Sequence, residues 1–181
     1  VTPLPTPDPI GDPSGYQRHL LSLLGHDDPA EVQGATPAAW RSIVEEAGDV
    51  VAVRPEPGEW SALECLAHTT DAEIVSAGRY RWIMAHDEPP LIGYDQDLWV
   101  DRLHQQPEDP DDLQRLFETL RRANLELWAR ATPAEKARVG LHEERGPESL
   151  DLSFRLVAGH DRFHLDQARR GLAAIEGRSE R

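Results

Sequence analysis

His160 and His164 stand four residues apart in Gly159-His160-Asp161-Arg162-Phe163-His164. On a helix that spacing stacks both side chains on one face, about 5–6 Å apart at Cβ. Two imidazoles so placed can reach one ion at about 2.0–2.1 Å. A zinc-type site needs a third ligand from another element. His68, in Glu64-Cys65-Leu66-Ala67-His68-Thr69, is the candidate. The competing reading of His68 is a buried histidine satisfied by hydrogen bonds. Three neutral imidazoles leave an ion its full positive charge and an open position, the feature that separates catalytic from structural zinc. Such an ion lowers the pKa of a bound water or thiol, or polarises a carbonyl. Four other histidines, His19, His26, His86 and His104, read as solvated or capping residues. His142 sits in the connection to the last helix.

These ligands need helices to hold them, and helix-start signals recur along the chain. Ser14 with Gln17, and Ser61 with Glu64, have capping-box spacing. Asp28-Pro29, Thr36-Pro37, Asp109-Pro110 and Thr132-Pro133 each place an oxygen-bearing cap before a proline at the first helical position. Long helices are expected over 61–86, 110–131 and 150–175. A helical region over 15–48 is expected to break near 27–29 and again near 34–37. Leu113, Leu116, Phe117, Leu120, Ala123, Leu127 and Ala131 recur at helical spacing. Leu152, Leu156, Gly159, Phe163, Ala168 and Leu172 do the same on the last helix. Val50–Val53 is the best strand candidate. The linker 87–109 is long, and long linkers commonly carry function or cover a site. The expected fold is all-α: a four-helix bundle with a long crossover connection and short extra helices. An extended proline-rich arm over 1–13 precedes a bundle domain over 14–176 and a tail over 177–181.

The composition narrows the partners. The chain has 181 residues and a formal net charge of −14, which disfavours nucleic acid and anionic membrane surfaces. No apolar run approaches the roughly 18 residues needed to cross a bilayer. One cysteine, Cys65, excludes an internal disulfide and suits a reducing cytoplasm. Residues 1–13 carry five prolines and no basic residue, unlike a secretory leader.

Several segments taken together resemble a known family. They are Pro55-Glu56-Pro57-Gly58-Glu59-Trp60-Ser61, the helix carrying His68, the stretch Tyr94-Asp95-Gln96-Asp97-Leu98-Trp99, and the terminal HxxxH. The combination resembles the DinB-like superfamily, and most of all its bacillithiol S-transferase-type branch, over roughly 14–175. The resemblance implies a four-helix bundle with one divalent ion, zinc or nickel foremost, held by His68, His160 and His164. It also implies activation of a low-molecular-weight thiol for attack on an electrophile. A water-activating hydrolase and a non-catalytic stress-response metal- or ligand-binding bundle are the alternatives. A homodimer is left open.

Further residues are candidates around such a site. Trp60, Tyr94 and Trp99 can wall a pocket or serve as bundle core. Asp71 and Asp161 can accept a hydrogen bond from a ligand imidazole, with a surface position favoured for Asp161. Arg79 and Arg162 can grip a carboxylate of a thiol cofactor, against a default of exposed ion pairs. Cys65 reads as a small buried hydrophobe rather than a fourth ligand.

Overall fold

The computed structural model describes residues 7–179. Residues 1–6 of the arm and 180–181 of the tail lie outside the described residues. Four helices form the bundle: α2 (Pro29–Ala47), α3 (Ala62–Ala85), α5 (Pro110–Arg130) and α7 (Leu150–Ser179). Helix α1 (Pro13–Leu24) packs along α7. Two short helices, α4 (Gln96–Leu103) and α6 (Pro133–Lys136), sit in the connections. The expected four-helix bundle with extra short helices is what forms. Helix α7 runs four residues past the expected end at 175, into the segment read as a tail.

Local chemistry sets most of the boundaries. Ser61 and Glu64 form the expected capping box and start α3 at Ala62. Asp28, Asp109 and Thr132 cap α2, α5 and α6, each with proline in the first turn. Two expected starts do not form. Asp12, not Ser14, caps α1, its carboxylate accepting from Gly15 N at 2.9 Å. Thr36-Pro37 does not open a helix, because α2 passes straight through Pro37. Proline there removes the N–H that would have bonded the Gln33 carbonyl four residues back. That carbonyl accepts from Arg121 Nη1 at 3.0 Å instead, so the break is compensated from α5.

The α5 face also departs from expectation. Its buried line is Leu113, Phe117, Arg121 and Asn124, while Leu116 is exposed. Arg121 lies inside the bundle with Glu73 of α3 and Asp161 of α7. It donates to Glu73 Oε2 at 2.8 Å and to Asp161 Oδ2 at 2.5 Å and Oδ1 at 2.9 Å. Asn124 donates to Glu73 Oε1 at 2.8 Å, and the Thr36 hydroxyl to Asp161 Oδ2 at 2.8 Å. One cation and two carboxylates, all about 1% exposed at their side chains, thus join four helices. Burial alone would lower the Arg121 pKa, but Asp161 and Glu73 hold it above its usual range. Apolar packing flanks this layer. Trp40, Leu66, Phe117 and Leu165 lie to one side, and Tyr80, Ile83, Phe154 and Leu150 to the other.

A three-stranded sheet was not expected. Strand β2 (Val139–His142) pairs antiparallel with β3 (Gly146–Ser149) through a turn at Gly146, whose φ is 75°. Strand β1 (Pro90–Leu91), from the long linker, adds in parallel to β2. Val50–Val53 is no strand; the chain there makes tight turns that drop Val51 into the core. Where α1 crosses α7, Gly159 is packed so closely that an added Cβ would lie 2.1 Å from the Leu20 carbonyl oxygen.

Candidate metal centre

Helix α3 places His68 two turns after its cap, and α7 places His160 and His164 on consecutive turns. The two helices pack against each other. One ligand nitrogen from each of the three imidazoles lies within 4.8 Å of the others. His68 Nε2 and His160 Nε2 are 2.9 Å apart. Among the described residues no other group of three histidine, cysteine or acidic side chains converges in this way. His68 and His164 are each 1% exposed, and His160 is half-buried.

The environment keeps all three imidazoles neutral. Burial is the main cause in each case, and neighbouring imidazoles add to it, so their pKa values fall well below the ordinary 6.5. A neutral imidazole has a lone pair for a metal; a protonated one does not. At His164 the assignment of that lone pair follows from its neighbour. Nδ1 faces Gln167 Oε1 at 2.9 Å, and an amide oxygen only accepts, so Nδ1 carries the proton. Nε2 of His164 is then a bare acceptor, buried and without a partner; Nδ1 of His68 is also buried without a partner. An unsatisfied buried polar atom costs about 1–3 kcal/mol. A divalent ion at the cluster would satisfy the His164 nitrogen, so these residues fit such an ion, with imidazole as its donor type.

Aromatic side chains wall the cluster. Trp60 stacks on His164 at 5.9 Å and lies 4.9 Å from the His68 ring. Tyr94 is 6.5 Å from His68, and Trp99 backs Tyr94 at 4.6 Å. Cys65 is fully buried in the core, and burial pushes its thiol pKa up, which makes it inert rather than a ligand. Two openings approach the centre. A cavity of about 110 Å³ runs to His160, and one of about 340 Å³ opens beside His164, lined by Trp60, Glu59, Asp97 and Gln167.

Other candidates lie elsewhere. Asp71 does not orient a ligand imidazole; its Oδ2 lies 2.9 Å from Nε2 of His104, whose Nδ1 meets Glu108. His104, expected to be solvated or capping, is the C-cap residue of α4, and its imidazole is held between two carboxylates rather than solvated. Arg162 points to the end of α1, donating to the carbonyls of Leu23 and Leu24 and pairing with Asp27. Asp161, expected at the surface, is fully buried on Arg121. Arg79 is no exposed ion pair either: it is 9% exposed, donates to Ile92 O at 2.6 Å and lies 3.1 Å from His142 Nε2. Gln167 was missed, although its place three residues after His164 was a readable signal. The Arg121 cluster was also missed; the signal was a charged residue at helical spacing from Leu113 and Phe117.

A four-helix bundle whose second and last members bring three histidines together defines a class of histidine-centred, metal-ready helix bundles. The chain belongs to the DinB superfamily, whose family model matches residues 31–168. Among solved structures it is similar to YfiT from Bacillus subtilis, described as a probable metal-dependent hydrolase with an unusual four-helix bundle topology. The two share 20% identity at a TM-score of 0.76, over 83% of this chain and 87% of that one. No curated protein matches. Among the described residues no helix is long and apolar enough to cross a membrane.

Proposed function

We propose that the protein is a metal-dependent enzyme that activates a low-molecular-weight thiol for attack on an electrophile. The observation that carries this reading is the trio of neutral imidazole nitrogens within 4.8 Å, with no protein carboxylate joining them. His68, His160 and His164 would hold a divalent ion without cancelling its charge, and such an ion would lower the pKa of a bound thiol, normally about 8.5, towards neutrality. Trp60 and Tyr94 stand beside His68, and sulfur gains from aromatic contact where water does not. Gln167 holds the His164 ring in the tautomer that presents its lone pair. Zinc and nickel are the leading ions, and the single buried Cys65 suits the cytoplasm.

A second reading, hydrolysis by activated water, is favoured by Glu59 and Asp97 on the wider opening beside His164. Either carboxylate could take the proton of an attacking water.

Cobalt substitution separates the two. Thiol addition to the cobalt-loaded protein should produce a strong sulfur-to-metal charge-transfer band. Thiol, protein and metal together should consume a haloarene faster than any two of them. If no thiol perturbs the cobalt spectrum while esters or amides are hydrolysed in a metal-dependent way, the hydrolase reading replaces the first.

A further inference from the structure

The cavity that reaches His160 follows the seam between α3 and α7. Ala72, Ser76 and Arg79 line it from α3, and Ser153, Leu156 and His160 from α7. These residues recur at helical spacings, so the cavity is a furrow along the bundle with the histidines at one end. Arg79 lies eleven residues after His68, which returns to the same helix face after a rise of about 16 Å.

Three donors on residues that line this cavity have no partner. Nε of Arg79 and the hydroxyls of Tyr16 and Tyr80 are buried without partners, and all three residues line the cavity. Tyr16 is 9% exposed and Tyr80 is 1% exposed. Burial pushes the Tyr16 hydroxyl up to about 12, so it is a neutral donor at ordinary pH. Arg79 makes none of the ion pairs among the described residues, whereas Arg145, also on the wall, is paired with Glu148 at 2.8 Å. One buried guanidinium therefore has no carboxylate in direct contact, and Glu148 acts on it only from a distance.

We propose that this cavity binds the carboxylate end of a small linear molecule, with Arg79 as the cation and the hydroxyls of Tyr16 and Tyr80 as added donors. A carboxylate accepts several hydrogen bonds at once, here from Nε of Arg79 and the two hydroxyls, because Nη2 of Arg79 already donates to Ile92 O and faces His142 Nε2. A dianionic phosphate fits less well, because Glu144 and Glu148 also line the cavity and would repel the second charge. The cavity, about 110 Å³ and drawn out along the seam between the two helices, suits a thin chain. The identity of the other end rests on the thiol reading above: a thiol reaching the histidines makes the molecule a mercaptocarboxylate.

A ladder of ω-mercaptocarboxylates of increasing chain length, set against ω-mercaptoalcohols of the same lengths, tests this by calorimetric titration of the zinc-loaded protein. At the spanning length the acid should bind at least about tenfold more tightly than the alcohol. Arg79→Gln should remove that gap, weakening the acid far more than the alcohol. Tyr16→Phe should narrow it, and decides the matter if Arg79→Gln does not fold. Equal binding of acid and alcohol at every length, or a gap unchanged in either variant, overturns the carboxylate site while leaving thiol activation standing. Hexanoate titrated into the metal-free protein separates the two readings from the other side. Hexanoate binding that needs Arg79, with no thiol reaching the metal, keeps the cavity assignment and sinks the thiol reading. Displacement of hexanoate by inorganic phosphate at equal or lower concentration overturns the choice of a monocarboxylate.

Discussion

His164 Nδ1 and Gln167 Oε1 face each other at 2.9 Å, one turn apart on the same helix. That contact fixes the tautomer and the ring angle of a buried imidazole whose other nitrogen has no partner. A partner of this type tunes a metal ligand without touching the metal. Gln167→Leu should weaken zinc binding by about 10–100-fold, read by competition with a chromophoric chelator. Gln167→Glu keeps an acceptor and should retain most of the affinity. Equal affinity in wild type and Gln167→Leu would show that the contact orients nothing.

Removing a ligand has a sharper effect. Zinc content after dialysis should fall from about one equivalent to near zero in His68→Ala and in His164→Ala. The helical circular-dichroism signal should persist, because the main core residues Trp40, Leu66 and Phe117 are untouched. Stoichiometric metal in both variants would disprove the assignment.

The histidines give pH effects of opposite sign. His68, His160 and His164 have folded pKa values well below 6.5, chiefly from burial. Below 6.5 the unfolded chain takes up protons that the folded, metal-free protein refuses. Stability therefore drops as pH falls through and below that value. His104 behaves in reverse. Burial opposes its charge, but Asp71 and Glu108 outweigh that and raise its pKa above 6.5. Its contribution is full below 6.5 and is lost as pH rises through the folded value. Asp71 is itself raised by burial, which works against the ion pair. The charged imidazole is the form that the geometry supports, because a second carboxylate, Glu108, faces its other nitrogen. Urea midpoints across the acid and neutral range should show a shallower acid limb in His164→Ala and no alkaline-side loss from this residue in His104→Gln.

Arg121→Met should destabilise the protein by about 3–5 kcal/mol, because it leaves Glu73 and Asp161 buried without their cation. It also frees the Gln33 carbonyl in front of Pro37, so α2 should loosen there. Thermal unfolding gives the magnitude, and amide exchange across α2 gives the place. A melting point within a degree or two of wild type would rule out this role.

Gly159→Ala should be disruptive although alanine favours helix. Its methyl would sit 2.1 Å from the Leu20 carbonyl, a backbone atom that can yield only if α1 moves. A loss of about 1–3 kcal/mol is expected. Faster proteolysis within α1 would show that the strain is relieved there, whereas an unchanged melting point would mean that the helices separate freely.

Local chemistry was legible in the sequence. The cap at Ser61, the prolines opening α2, α5 and α6, and the i,i+4 spacing of His160 and His164 each depend on neighbours within a turn or two. Together they determined the helix bundle, most helix boundaries and the shared face of two of the three histidines. Tertiary structure decided what depends on other elements. Pro37 does not break α2 because Arg121 arrives from α5 to take the abandoned carbonyl. Asp161 is buried rather than exposed because that same guanidinium neutralises it. The short sheet forms because the long linker lays Pro90–Leu91 beside a hairpin about fifty residues further on. His68 stands beside His160 and His164 because α3 packs on α7 in one register, and no spacing within either helix contains that register. A charge or a lone pair is settled by whatever meets it, and in this bundle the deciding partners come from other helices.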